Sequence, residues 1–254
     1  MTLPNTNLPA IPEWLQKIQP ILGQTSQNIQ VIHKKFTTYF NFLTVESNKI
    51  NLISQHDLNI FSIRHLYDSI VPLILFPNLL LSLKGLNMVD VGSGNGLPGI
   101  PLAIVSPMTK VCLLESSVKK CQFLIDLIKQ LEIDNCKVEC VRAESAGQNA
   151  KLRESFDIAM SRAMAKINTA LELVLPLIKV NGFGFFWGSA GSWLEWQDIQ
   201  QVTSLLGGEA RSQENYQLSN DNSILRQILK VEKITPTNKK YPRRDGIPKK
   251  HPIH

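Results

Sequence analysis

Asp90-Val-Gly-Ser-Gly-Asn-Gly-Leu-Pro-Gly99 decides the fold. It follows an apolar run, Leu86 to Val91 broken by Asn87 and Asp90, and precedes another, Ile100 to Val105. That order reads as strand, glycine loop, helix. Gly92, Gly94 and Gly96 lack the Cβ atoms that would hold a ligand off the backbone. Pro98 stands where the first turn of a helix tolerates proline. A dinucleotide-binding loop wants G-x-G-x-x-G. Here the glycines alternate and Asp90 precedes the first by two residues, which is a different pattern, D-x-G-x-G-x-G.

Outward from the loop, strands and helices alternate. Asn87 to Val91, Lys110 to Leu114, Lys137 to Val141, Phe156 to Met160, Gly182 to Trp187 and Ile224 to Val231 read as strands. Val118 to Leu131 reads as an amphipathic helix with Cys121, Leu124, Ile125, Ile128 and Leu131 on one face. Ile167 to Ile178 and Ser192 to Leu206 read as helices. Such βαβα alternation predicts a mostly parallel sheet covered on both faces. Before Gly85 the period is helical: Ile29, Ile32, Phe36, Phe40 and Leu43 recur at three- and four-residue steps, and a further helix runs from about Leu58 to Leu75. Residues 1 to about 10 read as loosely attached. The chain divides into a helical N-terminal extension (1–84), a main α/β domain (85–235) and a basic C-terminal tail (236–254).

The 254 residues are 43% hydrophobic, enough for one large core. The formal charge of +6 hints at an anionic partner, and from Lys230 onward eight lysines and arginines face only Glu232 and Asp245. A solvated tail is the plain alternative. Cys112, Cys121, Cys136 and Cys140 form no C-x-x-C pair, which disfavours zinc and fits thiols in a reducing compartment. No basic segment followed by an apolar core opens the chain, so no secretion signal is read. The most apolar window, Leu66 to Leu83, is interrupted by Asp68, Pro72 and Pro77 and reads as buried helix rather than membrane span.

Ligands of open parallel sheets bind at the carboxyl ends of the strands. Four chemistry-bearing groups fall there: Gly92 to Gly96; Glu115, about twenty residues on, where an acid accepts from ribose hydroxyls; Arg142-Ala-Glu-Ser145, placed to border a base; and Ser161-Arg-Ala163 at the mouth. Plain alternatives exist for each. Glu115 could cap the next helix, and Glu144 and Arg162 could form a surface ion pair. No [Asp/Asn]-Pro-Pro-aromatic sequence follows the fourth strand, which argues against methylation of an exocyclic amine. No Pro-Cys or Thr-Cys nucleophile is there either, which argues against attack at pyrimidine C5.

The extended loop motif resembles motif I of the class I S-adenosylmethionine-dependent methyltransferases. Together with Arg64-His-Leu-Tyr-Asp-Ser69, Ser161-Arg-Ala163 and Tyr241-Pro-Arg-Arg-Asp-Gly-Ile-Pro-Lys-Lys250, it is similar to the ribosomal RNA small-subunit methyltransferase G family, also named glucose-inhibited division protein B. The resemblance covers roughly Phe36 to the C-terminus. It implies a Rossmann-like α/β fold with a mostly parallel seven-stranded sheet and an N-terminal helical cap. It also implies methyl transfer from S-adenosylmethionine to N7 of a guanine in 16S rRNA or the small subunit. A cytoplasmic protein without membrane attachment is expected from the cysteines, the missing secretion signal and the interrupted apolar window, and nothing in the sequence calls for more than a monomer. Gly92 and Leu97 are expected to contact the cofactor, Ala143 and Glu144 to flank the adenine, and Arg162 to lie at the mouth. Asp90, Gly94, Gly96 and Glu115 join the cofactor set from the general fold. Arg243, Arg244, Lys249 and Lys250 are the expected RNA contacts, and no catalytic base is assigned, because guanine N7 carries no proton.

Many members have Lys-Gly after the fifth strand, where this chain has Trp187-Gly188. Trp187 could stack on a base or fill the core. Arg64 and Asp68, one helical turn apart, could pair with each other, and His65 reads as a packed histidine. A methyltransferase acting on a small molecule and a non-catalytic ribosome-assembly factor are the rival functions.

Overall fold

The computed structural model describes residues 12–20, 26–47, 49–50, 52–59, 61–77, 85–162, 164–189, 195–218 and 221–253. The loose N-terminal stretch, the 78–83 part of the apolar window, Ala163 and the start expected for the helix at Ser192 lie outside the described residues.

Seven strands form one sheet: β1 (Asn87–Val91), β2 (Lys110–Glu115), β3 (Cys136–Cys140), β4 (Phe156–Arg162), β5 (Ile178–Ser189), β6 (Gly208–Leu218) and β7 (Asp221–Lys233). Their order is β3-β2-β1-β4-β5-β7-β6. The first five run parallel, β7 is antiparallel to β5, and β6 pairs antiparallel with β7. The chain reverses its direction of strand addition between β1 and β4, which opens the crevice where ligands of such sheets bind.

Alternation along each strand builds two cores. Met88, Val111, Leu113, Ile158, Met160 and Phe185 point to one face, where the N-terminal helices, α5 (Gly99–Val105) and α6 (Val118–Leu131) cover them. Val89, Val91, Cys112, Leu114, Ala159 and Phe186 point to the other, under α7 (Ala143–Gln148), α8 (Ile167–Val174) and α9 (Trp196–Leu205). The N-terminal section comprises α1 (Glu13–Ile18), α2 (Ser26–Ser47), α3 (Gln55–Asn59), a π-helical turn (Ser62–Tyr67) and α4 (Asp68–Leu75). Phe36, Tyr39 and Leu43 of α2 are fully buried in the first core. No helix among the described residues is long and apolar enough to cross a membrane.

Several expectations need correction. The strand β6 is absent from the sequence reading, because an edge strand reading Gly-Glu-Ala-Arg-Ser-Gln-Glu-Asn-Tyr-Gln-Leu carries few apolar side chains. The helix α8 ends at Val174; Pro176 permits one 3₁₀ turn (Leu175–Leu177), and β5 starts at Ile178 rather than Gly182. On α6 the buried stripe is Cys121, Phe123, Leu124, Leu127 and Leu131, while Ile125 is exposed. Pro98 is the N-cap residue of α5, not a member of its first turn. The four cysteines are not four thiols: Cys121 and Cys140 are joined as a disulfide, since the first turn of α6 passes beside the end of β3 with a Cα separation of 5.8 Å. Cys112 and Cys136 are free, and among the described residues no group of His, Cys, Asp and Glu is placed to hold a metal.

The C-terminal segment is folded. Arg153 donates from Nη1 to the carbonyls of Gly147 (2.6 Å) and Tyr241 (2.8 Å), and from Nη2 to that of Thr237 (2.6 Å). Gln148 bonds the carbonyl of Pro242 at 2.8 Å, and Thr169 and Asn168 bond those of Pro248 (3.0 Å) and Ile253 (2.8 Å). Residues 237–253 therefore form a strap across α7 and α8, ending in the short helix α10 (Ile247–Lys250).

Candidate functional site

The loop after β1 is held by its neighbours. The amides of Gly92 and Ser93 donate to the carbonyl of Leu114 at 2.8 and 3.2 Å, continuing the β1–β2 ladder past the strand end. Gly92, Gly94 and Gly96 have φ of +75°, +57° and +98°, the left-handed region that glycine enters without steric cost. A Cβ on Gly92 would strike Met164 Sδ at 2.8 Å, and one on Gly96 would strike Ile100 at 2.7 Å. At Gly94 it would meet only the Gly92 carbonyl at 3.8 Å. The backbone is thus bare on one side at Gly94 and packed at Gly92 and Gly96. Leu97 is buried in the first core.

Asp90 lies behind this loop. It is fully enclosed, and its Oδ2 accepts the amide of Gly99 at 3.1 Å. Burial pushes its carboxyl up to about 7, against the lowering by the Gly99 amide and the Ser93 hydroxyl. Its contribution to the site runs through the loop it organises. The N-terminal section adds a second support, since Tyr39 donates its hydroxyl to the Asn95 carbonyl at 2.6 Å.

Glu115 ends β2 and serves two elements. Its Oε1 accepts the amides of Ser116 and Ser117, both at 2.8 Å, and so opens α6; its Oε2 accepts the amide of Gly94 at 2.9 Å. A carboxylate offers about four acceptor positions, so Oε2 keeps one for a hydroxyl ligand. Ala143 and Glu144 begin α7, both buried. Glu144 Oε1 accepts the amide of Gly246 (2.9 Å) and Nη2 of Arg142 (3.2 Å). Burial alone would raise the Glu144 pKa, but these donors hold it below the ordinary carboxylate value.

Arg162 ends β4 and turns toward the N-terminal section. Its Nε lies 2.8 Å from Asp68 Oδ2, and Nη2 meets the Arg64 carbonyl and His65 Nδ1, each at 3.0 Å. Burial, with Arg162 second, pushes His65 down to about 3, so the ring is neutral and Nδ1 accepts. Tyr216 of β6 donates to Asp68 Oδ1, and Trp187 Nε1 of β5 donates to the Asp68 carbonyl at 3.0 Å. The two ion pairs offered as plain alternatives do not form: Arg162, not Arg64, pairs with Asp68, and Glu144 pairs with Arg142 rather than Arg162. Arg64 lies instead 3.4 Å from Asp57. Trp187 packs against the first core, and His65 is a packed histidine as read.

Of the basic residues, Arg244, Lys249 and Lys250 are exposed. Arg243 is engaged internally by Glu172. The strap bonds Glu144 through Gly246, and Asp245 lies 3.1 Å from Arg142, so α10 and its lysines stand beside the α7 end of the site. Sequence reasoning did not assign Tyr39, Met164, Glu172 or Tyr216 to the site. For Asp68 the signal was present in Arg-His-Leu-Tyr-Asp-Ser, but its partner lies 94 positions away on β4.

An adenosyl donor fits these residues. The cradle at Gly94 admits a group that any Cβ would displace, and Glu115 offers a free acceptor position 21 residues on.

The family model described as rRNA small subunit methyltransferase G matches residues 32–223. Ribosomal RNA small subunit methyltransferase G of Dictyoglomus thermophilum is 38% identical over 220 residues, covering 87% of this chain and 89% of the relative. The protein of the same name from Oenococcus oeni is 35% identical over 231 residues, covering 90% and 93%. Among solved structures, a mutant of MtNAS (14% identical, TM-score 0.52) covers 87% of this chain and 82% of its own. The branched-chain polyamine synthase of Thermus thermophilus (12% identical, TM-score 0.52) covers 67% of this chain and 56% of its own. At these identities the two structures share the fold alone.

Proposed function

The chain belongs to the rRNA small subunit methyltransferase G family, and from that premise we propose that it methylates N7 of a guanine in 16S rRNA with S-adenosylmethionine as donor. The observation that carries the reading is the bare backbone at Gly94, tied by its own amide to Glu115 at the end of the next strand. Bound S-adenosylmethionine supplies a methyl group on a sulfonium sulfur.

The chain's residues have the remaining tasks. Gly94 lets the backbone approach the donor's amino-acid part, Gly92, Gly96 and Leu97 shape the loop that carries it to the donor, and Asp90 holds the loop from behind. Glu115 accepts from the ribose, Ala143 and Glu144 border the adenine, and Arg162 stands at the mouth. The described helices of the N-terminal extension cap the α/β domain, and the segment from 236 onward carries RNA contacts on Arg244, Lys249 and Lys250. Guanine N7 has a lone pair and no proton, so the site needs alignment and water exclusion rather than a base. We take the working form to be a cytoplasmic monomer.

Labelled donor incubated with small-subunit RNA and with small-subunit particles tests the reading. Label is expected at one guanine, and cleavage at 7-methylguanine maps it. Donor binding without label in any ribosomal substrate refutes the assigned substrate.

A further inference from the structure

Arg162 approaches the mouth from a site built by three separate parts of the chain. Asp68 comes from α4, His65 from the π-helical turn before it, and Tyr216 from the distant β6–β7 hairpin. Asp68 is 1% exposed, its Oδ2 lies 2.8 Å from Arg162 Nε, and its Oδ1 takes the Tyr216 hydroxyl. The Arg64 carbonyl and the His65 ring occupy Arg162 Nη2. Such a half-buried, multiply bonded guanidinium, its side chain 12% exposed, has one orientation. Backbone carbonyls alone would fix that orientation without the cost of enclosing a carboxylate. An enclosed anion beside the cation does something carbonyls cannot: it cancels a full charge.

That cancellation matters if the mouth receives a cationic donor. The sulfonium carries a positive charge, and on transfer the N7–CH₃ bond forms, the S–CH₃ bond breaks with its electron pair going to sulfur, and the charge passes to the purine. Both before and after the step, a cation occupies the space that Arg162 borders. An unpaired guanidinium there would repel it in a medium where charges are poorly screened. We propose that Asp68 is a positioning residue that acts through Arg162, fixing the guanidinium by its side while neutralising it toward the donor, with Tyr216 locking the carboxylate. The inference rests on the placement of Arg162 at the donor and substrate mouth.

The test compares the affinities of the full chain for S-adenosylmethionine and for the uncharged-sulfur product, S-adenosylhomocysteine, by calorimetry. Asp68→Asn is expected to weaken the sulfonium ligand at least about tenfold more than the thioether, the effect of one unit charge about 12 Å away at an effective dielectric of about 20. Adding Arg162→Gln to Asp68→Asn is expected to return the ratio to the parent value, because the pair is again neutral. Equal weakening of both ligands by Asp68→Asn, or no change in either, overturns the proposal while leaving Arg162 at the mouth. If Arg162→Gln alone changes neither affinity nor transfer to RNA, the placement of Arg162 itself fails. Tyr216→Phe removes a hydroxyl and little volume, so it keeps the question decidable where Asp68→Asn does not fold. It is expected to slow single-turnover transfer about tenfold at unchanged RNA KM, and full-rate transfer in that variant overturns the proposal.

Discussion

Arg243 clamps Glu172 from the strap side, with Nε 2.9 Å from Oε1 and Nη2 2.6 Å from Oε2, while the Arg243 amide also donates to Oε1 at 2.9 Å. Glu172 is wholly enclosed in α8. An enclosed carboxylate bonded to one guanidinium depends on it, and removing the partner leaves the desolvation cost unopposed. Arg243→Leu is therefore expected to destabilise the fold by about 3 kcal/mol, read by urea denaturation. A change under about 0.5 kcal/mol, the size of an ordinary surface substitution, contradicts the clamp.

Arg244, Lys249 and Lys250 have the opposite character. They are exposed, so a triple alanine variant is expected to melt with the parent but bind small-subunit RNA more weakly. Phosphate contacts release counterions, and three lost contacts flatten the plot of log affinity against log salt by about 2 for a single strand. An unchanged salt slope removes these residues from the RNA interface.

How much of this was legible in the sequence depends on distance along the chain. The β1 loop, Glu115 and the strand-end positions of Ala143 and Arg162 follow from local pattern, because strand, glycine loop and helix each leave a short-range signature. The disulfide and the Arg162–Asp68 and Arg243–Glu172 pairs do not, since their partners lie 19, 94 and 71 positions apart and meet only through the sheet order. Spacing along one helix suggested Arg64 for Asp68, and the π-helical turn between α3 and α4 shows why that fails: a wider turn changes which residues share a face. The polar edge strand β6 gave no apolar alternation to read, yet it delivers Tyr216 to the mouth.

Gly94 and Gly99 separate binding from folding. Gly94→Ala carries left-handed strain of about 1 kcal/mol but meets no neighbour closer than 3.8 Å, so the variant is expected to fold. The new methyl fills the cradle instead, and donor affinity is expected to fall about 10- to 100-fold, the equivalent of about 1–3 kcal/mol of overpacking. Gly99→Ala sets a Cβ 2.9 Å from Asp90 Oδ2 and against Leu113, so it is expected to lose stability first. Parent-like donor binding by folded Gly94→Ala protein places the donor elsewhere.

Asp90 gives stability a pH dependence of known sign. Its carboxyl is raised from the ordinary value of 3.8 to about 7, so the folded state binds the proton more tightly than the unfolded chain. The contribution is fully present below the unfolded value and is lost as pH rises through about 7. Asp90→Asn keeps the shape and cannot ionise. Between pH 5 and pH 8 its stability, followed by urea denaturation, is expected to gain on the parent's by on the order of 3 kcal/mol. Parallel pH profiles for parent and variant contradict the raised value.

Arg153 tests whether the strap belongs to the site. Its guanidinium bonds the carbonyls of Gly147, Tyr241 and Thr237, with Asn238 a longer fourth at 3.3 Å, so most of its donors hold the start of the strap against α7. Arg153→Leu removes them together and leaves buried carbonyls unpaired, at about 1–3 kcal/mol for each one left without a partner. Limited proteolysis is expected to cut within 237–253 in the variant and not in the parent. The strap's Gly246 amide also holds Glu144, so loosening it frees the carboxylate that borders the proposed adenine site. Donor affinity is therefore expected to fall with the protease resistance, although the carbonyls that Arg153 bonds belong to α7 and the strap. A variant that loses the strap to protease yet binds donor like the parent makes the strap a brace for α7 and α8 and separates it from the cofactor site.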